Sequence, residues 1–384
     1  MICTARISRY ARIWVSKMGT DCYDVVVVGA GLSGLVAAGA AAHRKLKVAL
    51  VSTGPGSFVT GHGWLKAQEV PRASAELELK EAIAYFCELM RLAGCPYAGD
   101  ITTARFLPSI LGNLESVALA PLTLWNAEPR DGISTAIVGV RGLSCFDENF
   151  MADRLTEQAL RISSGCTYAA RQITLSRDMG IPVTTLRIAQ CFDRNPDFRK
   201  ELINSLRTAA SGFKRILVPG ILGLESSAEK LVEFEGELGC TVGEIPTLPP
   251  SIPGLRIYHR LESYLHKIGV ELNRGYPVDQ VEIHDGLCTG LRVASPGRPL
   301  HLHCQSAVLA TGRRSASPLG SEYAGRDQQM RPLTSIGSVM ARNFFIAGPL
   351  PHSDEGHYGN VLQILTGYRA GNLAASTRGN HAAR

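Results

Sequence analysis

The sequence has no closely spaced pair of cysteines. Its 384 residues include 10 cysteines, and the two nearest in the chain, Cys87 and Cys95, are eight positions apart. Zinc sites and iron–sulfur clusters normally draw on Cys-x-x-Cys spacings, so the sequence predicts neither kind of centre. Scattered cysteines are typical of small buried side chains in a reducing compartment, and we therefore expect a cytoplasmic protein.

The chain also lacks the excess of positive charge that is typical of nucleic-acid-binding proteins. The formal net charge is +6, but the first 17 residues hold four basic side chains and no acidic one. The rest of the chain is nearly neutral, which argues against a nucleic-acid partner and against an enzyme that modifies nucleic acids. We treat residues 1–21 as a basic tail with three open interpretations: an upstream mis-start with Met18 as the true initiator, an amphipathic segment at a membrane surface, or a targeting peptide.

Long apolar runs are scarce. Residues 25–42 carry no charge, and their number would suffice for a short membrane-spanning helix. However, glycine and alanine dilute the hydrophobicity of this run. The four valines Val25–Val28 favour a buried strand, and the alanine-rich stretch 35–42 favours a helix. We therefore interpret the run as a strand and a helix inside a domain.

Between that strand and that helix lies a Gly-x-Gly-x-x-Gly motif, formed by Gly29, Gly31 and Gly34. The first glycine of such a motif allows a tight turn, the second lets the backbone approach a phosphate, and the third lets the helix pack on the strand. The helix N-terminus then offers free N–H groups to the anion. A second apolar strand follows at residues 47–51, so this segment predicts a nucleotide-binding βαβ unit.

The second strand lacks the acidic residue that usually ends it. Dinucleotide-binding units place Asp or Glu there to bind a ribose hydroxyl, whereas this chain has Ser52 and then Thr53. This substitution argues against a nicotinamide-dependent reductase. It favours a cofactor without an adenosine half, such as FMN, or one whose ribose is held by a serine. We therefore predict FMN, with FAD as the alternative.

Strands and helices alternate again from residue 132 onward. The predicted strands are 134–140, 182–189, 215–218 and 240–245, and the predicted helices are 148–162, 196–210 and 227–238. Such alternation indicates a second α/β sheet. Two of its strand ends carry glycine-bearing loops, Gly139–Gly142 and Pro219–Gly223, which we interpret as ordinary turns or, alternatively, as part of a substrate wall.

The last third of the chain returns to buried strands that end in glycine. Ser306–Gly312 ends in Ala-Thr-Gly, Asn343–Gly348 is a second apolar strand, and a helix is predicted at 361–375. A proline-dense stretch, 246–256, precedes this part. We therefore predict an α/β fold, in which a Rossmann-like flavin-binding domain with a three-layer βαβ arrangement carries an inserted second α/β domain. The predicted boundaries are 22–70 and 252–384 for the discontinuous flavin-binding domain, and 71–251 for the insertion.

The order of these segments, together with the run Ile245–Ser251 (Ile-Pro-Thr-Leu-Pro-Pro-Ser), resembles the family formed by the B subunit of anaerobic glycerol-3-phosphate dehydrogenase. The resemblance runs from about Cys22 to Ala375. It implies flavin-dependent oxidation of sn-glycerol 3-phosphate to dihydroxyacetone phosphate, with electrons passed to quinone. It also implies two partners, a larger FAD-containing subunit and an iron–sulfur subunit that anchors the complex at the inner face of the cell membrane.

Two features depart from that family. The chain is shorter between Ala310 and the last strand, and Gly348-Pro349 is not followed by the acidic residue that holds the ribityl chain. A non-catalytic flavin-binding relay or scaffold subunit therefore stays open as the alternative function.

The candidate site residues are those of the glycine motif and of the strand ends. The predicted cofactor-binding residues are Gly29, Gly31, Ser33, Gly34, Ser52, Gly312, Gly348 and Gly359. His62 and His357 are candidate bases for the alcohol proton, and Arg313 and Arg314 are candidate ligands of the substrate phosphate. The alternative for His62 is a solvated side chain in a mobile surface loop, and for Arg313 and Arg314 it is a solvated basic turn.

Overall fold

The computed structural model describes residues 22–69, 76–162, 165–175, 182–225, 228–312, 325–333, 338–349 and 359–377. The first part of the chain contains β1 (Cys22–Ala30), α1 (Leu32–Ala42), β2 (Val48–Pro55), β3 (Leu65–Lys66), α2 (Glu76–Leu92), β4 (Tyr97–Gly99), β5 (Arg105–Pro108), β6 (Leu114–Pro121) and α3 (Leu122–Trp125). The middle part contains β7 (Ser134–Val140), α4 (Glu148–Ala159), β8 (Thr167–Ile173), α5 (Thr185–Arg194), α6 (Pro196–Ala210), β9 (Arg215–Pro219), α7 (Ala228–Leu238) and β10 (Thr241–Ile245). The last part contains α8 (Ile252–Lys267), β11 (Glu271–Arg274), β12 (Val278–His284), β13 (Leu287–Val293), β14 (Leu300–Leu309), β15 (Gly325–Arg326), β16 (Pro332–Leu333), β17 (Phe344–Ile346) and α9 (Gly359–Ser376).

The largest sheet has seven strands, and its central strands are parallel. The spatial order is β11-β2-β1-β14-β13-β12, and β17 also pairs with β14. The first half of β14 runs antiparallel to β13, whereas its second half runs parallel to β17. The valines of β1 are buried, as expected for a strand that is covered on both faces. The α/β class and the Rossmann-like first unit expected from the sequence are confirmed.

Helices α1 and α9 cross closely on one face of this sheet. A Cβ atom at Gly367 would lie 3.0 Å from Cα of Ser33, and one at Gly371 would lie 2.8 Å from Cα of Ala37. Only glycine lets the two backbones approach this far. The crossing brings the start of α9 to the end of the sheet where α1 begins.

The second sheet is smaller and entirely parallel. Its order is β10-β9-β7-β8. The strand order therefore reverses between β7 and β9, which is the position where doubly wound sheets bind ligands at the carboxyl ends of their strands. Most of the predicted elements of this unit are confirmed. The predicted strand at 182–189 is wrong, because Thr184 accepts a hydrogen bond from the backbone N–H of Arg187 and so caps helix α5.

A third, antiparallel sheet was not predicted. Its order is β3-β6-β4, and β5 also pairs with β6. The small core beneath it consists of Trp64, Leu107, Val117, Ala120 and Leu124. This sheet directly follows the loop that leaves β2, so it lies beside the candidate site.

Helix α8 joins the two parallel sheets. It begins at Ile252 rather than at the predicted residue 255, because Ser251 caps it and proline is tolerated in a first helical turn. On one side, a Cβ atom at Gly254 would lie 2.9 Å from the carbonyl oxygen of Phe58. On the other side, a Cβ atom at Gly220 would lie 3.1 Å from Pro253. The carboxyl edges of both sheets therefore meet the first turn of α8. The domain boundaries given above stay a prediction.

Candidate functional site

The glycine motif forms the turn between β1 and α1. Gly29 has φ +111°, and a Cβ atom there would lie 2.8 Å from the carbonyl carbon of Ala310 in the neighbouring strand end. A Cβ atom at Gly34 would collide with the carbonyl oxygen of Gly29. Both positions therefore need glycine for packing alone. Gly31 is different, since among the described residues no atom beyond its chain neighbours lies within 4 Å of the position that its Cβ would take.

The space at Gly31 lies at the N-terminus of α1. Gly31 is the N-cap residue, no side chain caps the helix, and the first turn contains no acidic residue. The N–H groups of this turn point along the helix dipole, whose positive end favours an anion. Ser33, in the same turn, is buried. The arrangement fits the phosphate of a nucleotide.

Two hydroxyl groups at the same edge of the sheet have no hydrogen-bond partner within the part of the chain that the structure describes. Ser52 on β2 is 6% exposed, and its Oγ is unpartnered; Oγ1 of Thr311, which follows β14, is also buried and unpartnered. Because β1, β2 and β14 are parallel neighbours, their carboxyl ends lie at one edge. A buried hydroxyl without a partner costs about 1–3 kcal/mol. A polar ligand at this edge would remove that cost, so these residues fit a nucleotide cofactor.

The end of β17 and the start of α9 close the same edge. Gly348 has φ +90°, its N–H donates to Oγ1 of Thr366 at 2.9 Å, and its carbonyl accepts from Nη1 of Arg326 at 2.7 Å. A Cβ atom at Gly348 would lie 3.0 Å from Oγ of Ser33. The backbone of Gly348 is therefore held next to the first turn of α1.

The loop after β2 carries His62 and is fixed by neighbouring elements. Gly63 has φ +78°, and its carbonyl accepts a hydrogen bond from the Tyr97 hydroxyl. The carbonyl of Trp64 accepts from Nδ2 of Asn360 at 3.0 Å, which places the loop at the first turn of α9. The ring centroids of His62 and Trp64 are 4.9 Å apart in an edge-to-face arrangement.

His62 is neutral under ordinary conditions. Burial lowers the pKa of His62, the charge of Lys66 lowers it further, and Glu115 partly opposes both effects. Its Nδ1 atom is buried and has no hydrogen-bond partner. A neutral imidazole with a free ring nitrogen can accept a proton from a bound alcohol.

The structure brings together most of the residues singled out from the sequence. Those at the carboxyl edge of the large sheet, or at the elements that close it, are Gly29, Gly31, Ser33, Gly34, Ser52, His62, Gly312, Gly348 and Gly359. Gly312 and Gly359 have φ of +70° and +42°. Arg313, Arg314 and His357 lie outside the described residues.

Sequence reasoning missed several polar residues at this edge. Thr311 stands inside the Ala-Thr-Gly motif, which offered a signal for it. Asn360 and Thr366 lie on α9 and act only through tertiary contacts. Lys66 forms an ion pair with Glu115, in which Nζ and Oε2 are 3.0 Å apart. The two residues are 49 positions apart in the chain, so no local sequence pattern predicts this pair.

The second parallel sheet has a comparable anion cradle, but the protein fills it. The backbone N–H groups of Ile221 and Leu222, in the glycine-bearing loop after β9, both donate to Oε1 of Glu244, at 3.1 and 2.9 Å. Arg256 on α8 donates to both carboxylate oxygens of Glu244, at 2.7 and 2.9 Å. Both partners are buried. This loop is therefore used for internal packing.

The chain matches one family model and a group of curated relatives in sequence. The model of the FAD binding domain family matches residues 24–78. The B subunit of anaerobic glycerol-3-phosphate dehydrogenase from Yersinia pseudotuberculosis is 26% identical over 373 residues, covering 88% of this chain and 83% of the relative. The protein of the same name from Pectobacterium atrosepticum is 29% identical over 350 residues, covering 78% and 77%. The resemblance expected from the sequence is confirmed, and the match to an FAD binding domain supports a flavin cofactor.

The solved structures that the chain matches are more distant. L-proline dehydrogenase from P. horikoshii is 12% identical, with a TM-score of 0.33, covering 77% of this chain and 54% of that structure. A 3-ketosteroid dehydrogenase from Rhodococcus jostii RHA1 is 15% identical, with a TM-score of 0.28, covering 78% and 48%. The chain thus spans about half the length of these structures. Among the helices that the structure describes, none has both the length and the apolar character needed to cross a membrane.

Proposed function

We propose that this chain is a flavin-dependent subunit of a dehydrogenase that oxidises sn-glycerol 3-phosphate to dihydroxyacetone phosphate. The sequence similarity to the B subunits of anaerobic glycerol-3-phosphate dehydrogenases supports this substrate. The observation that most directly supports a flavin site is the open space at Gly31. The unpartnered hydroxyls of Ser52 and Thr311 lie at the same edge of the sheet.

Different residues of this edge would bind different parts of the flavin. The first turn of α1, with Gly31 and Ser33, would hold the phosphate. Ser52 and Thr311 would donate to or accept from hydroxyl groups of the cofactor. Gly348 and Gly359 would face the ring system, where the bound flavin supplies an acceptor for the two electrons and the hydrogen removed from an alcohol carbon.

The residue at position 52 bears on whether the flavin is FMN or FAD. FMN stays our prediction from the missing carboxylate. FAD is supported by the match to an FAD binding domain, and Ser52 would then take the place of the carboxylate that holds a ribose hydroxyl in dinucleotide-binding units. Acid extraction of the bound cofactor, followed by chromatography, distinguishes the two forms.

His62 is the proposed base. Its pKa is lowered, so the ring is neutral near pH 7, and Nδ1 is free to take the hydroxyl proton of the substrate. The edge-to-face contact with Trp64 and the hydrogen bond from Asn360 to the Trp64 carbonyl hold this part of the loop in place. His357 stays a second candidate for this role.

We further propose that the chain works in a complex. The similar proteins are named as subunits. The proposed partners are a larger FAD-containing dehydrogenase subunit and an iron–sulfur subunit that holds the complex at the inner face of the cell membrane. Electrons would then pass through the iron–sulfur partner to quinone.

Anaerobic reduction by sn-glycerol 3-phosphate tests this function. We expect the flavin absorbance of the complex to bleach on mixing with substrate, and a His62→Gln variant that retains full flavin content to bleach at least tenfold more slowly. The alternative, a non-catalytic relay subunit, predicts two other results. The chain's own flavin would bleach only when an active partner is present, and the His62→Gln variant would bleach as fast as the wild type. No bleaching in any combination would reject the proposed substrate.

A further inference from the structure

We infer that Lys66 binds the anionic group of the substrate and that Glu115 is the counter-ion from which it is recruited. This inference rests on the proposed function, because it assigns a substrate-binding residue to the same site. Lys66 lies in the described part of the chain, whereas Arg313 and Arg314, the phosphate ligands predicted from the sequence, lie outside it.

Lys66 lies next to the proposed base. Strand β3 begins immediately after Trp64, whose carbonyl is held by Asn360 at the first turn of α9 and whose ring contacts His62. Lys66 follows two residues later and pairs with Val117 of β6, and Glu115 lies two residues before Val117 on that strand. Val117 and Trp64 belong to the same small core, so Lys66 and Trp64 both lie against this part of β6.

The ion pair of Lys66 leaves room for a second anion. Its Nζ contacts one oxygen of Glu115 at 3.0 Å, and the two side chains are 32% and 34% exposed. An ammonium group has three donors, so a single contact leaves capacity for another acceptor. A pair this exposed also adds little to stability. By contrast, Arg256 is buried and donates at once to both carboxylate oxygens of Glu244, to a hydroxyl and to a backbone carbonyl.

The charges of this pair reach His62. Lys66 lowers the pKa of His62 and Glu115 raises it, after the larger effect of burial. The pair therefore lies within electrostatic range of the group that is proposed to take the alcohol proton. A substrate with a hydroxyl close to an anionic group, as in a glycerol phosphate, matches this placement: the imidazole receives the hydroxyl proton, and the ammonium group holds the anion.

Titration calorimetry of the flavin-loaded chain with inorganic phosphate and with sn-glycerol 3-phosphate tests the inference. We expect Lys66→Met to weaken binding of both probes by about tenfold or more, because a charge-assisted hydrogen bond is lost. Lys66→Arg should retain most of the affinity, and Glu115→Gln should tighten binding, since the competing carboxylate is gone. Arg292→Met is the matched control, because Arg292 forms a similarly exposed pair with Asp279 in the large sheet.

Reduction kinetics give a second readout. Lys66→Met should raise KM for sn-glycerol 3-phosphate more than it lowers kcat. It should also move the acid limb of the pH profile upward, whereas Glu115→Gln should move it downward. If Lys66→Met binds phosphate and sn-glycerol 3-phosphate as tightly as the wild type, the inference is wrong. If the flavin of that variant is still reduced with an unchanged KM, the inference is also wrong, but the proposed function is kept. Lys66-dependent phosphate binding without any reduction of the wild-type complex would instead support the anion site and reject the proposed function.

Discussion

The carboxyl edges of the two parallel sheets offer a direct comparison. In the large sheet, the turn at Gly31 opens onto free space, and the hydroxyls of Ser52 and Thr311 have no partner. In the smaller sheet, two backbone N–H groups after β9 already bind the carboxylate of Glu244, which is neutralised by Arg256. In open α/β sheets ligands bind at the carboxyl edge. In the smaller sheet the carboxylate of Glu244 occupies that place, whereas in the large sheet we propose that a cofactor does.

This difference explains how similar local patterns serve two purposes. Glycine-bearing loops follow strands in both sheets. What distinguishes them is the helix that lies against each loop: α1 presents an uncapped first turn to open space, whereas α8, which follows β10, brings Arg256 and Pro253 against the loop of the smaller sheet. The filled edge connects the two sheets through α8, and the open edge is where we propose that the cofactor binds.

The largest expected effect comes from breaking the filled edge. Arg256→Met leaves the Glu244 carboxylate buried without its cation, and we expect the free energy of unfolding to fall by about 3–5 kcal/mol. Urea denaturation followed by circular dichroism measures this change. The control Arg292→Met removes one partner of an exposed, solvent-screened pair and should lower the free energy of unfolding far less. Equal losses in the two variants would contradict the role given to the buried pair.

Acid should remove the same stabilisation. Burial alone would raise the pKa of Glu244, but Arg256 and the backbone N–H of Leu222 outweigh it, and the pKa is lowered on balance. A carboxyl whose pKa is lowered by folding stabilises the protein above its ordinary pKa of about 4.3, and this contribution is lost as the pH falls through the folded-state value. The stability difference between wild type and Glu244→Gln should therefore narrow below about pH 4. If the stability difference between wild type and Glu244→Gln does not change with pH, the charge of Glu244 does not stabilise the fold.

Two glycines of the open edge should respond differently to the same change. Gly34→Ala forces a Cβ atom onto the carbonyl oxygen of Gly29, so the free energy of unfolding should fall by about 1–3 kcal/mol or more. Gly31→Ala meets no atom of the protein and has a backbone conformation open to alanine, so the stability of the cofactor-free chain should be unchanged. Flavin affinity should fall in both variants. Full flavin affinity in Gly31→Ala would show that the cofactor does not lie against this turn.

The smallest expected effect concerns the unpartnered hydroxyl. Ser52→Ala should leave the cofactor-free chain as stable as wild type or more stable, while weakening flavin affinity by about 0.5–1.5 kcal/mol. Ser306→Ala is the matched control: Ser306 is also buried, but its hydroxyl donates to the carbonyl of Ala374 at 3.0 Å. The control should lose about 1 kcal/mol of stability without change in flavin affinity. Loss of stability in Ser52→Ala would mean that the hydroxyl has a partner within the protein.

Elements defined by local patterns were predictable from the sequence. The valine run, the glycine spacing and the alanine-rich helix together indicate β1, the turn and α1, since each depends on residues close in the chain. The same holds for β7, α6 and β17. The error at 182–189 arose because its β-branched residues suit a strand, whereas the cap at Thr184 and the buried face of Ile188, Ala189 and Phe192 make it a helix.

Features that depend on distant contacts were not predictable. Strand β3 has two residues and exists only because β6 pairs with it. The pair of Lys66 with Glu115, and that of Glu244 with Arg256, join segments whose proximity follows from the assembled fold. Likewise, the unpartnered state of the Ser52 hydroxyl is a property of its buried surroundings and not of its position after a strand.

The flavin content of the purified full-length chain tests the central claim most directly. The chain should be prepared alone and together with its proposed partner subunits, and its cofactor should be extracted with acid, identified and counted. We expect one flavin per chain, as FMN or as FAD, and loss of that flavin in Gly31→Ala while the stability of the chain is unchanged. A chain that carries no flavin in either preparation would contradict the claim that its open edge is a cofactor site.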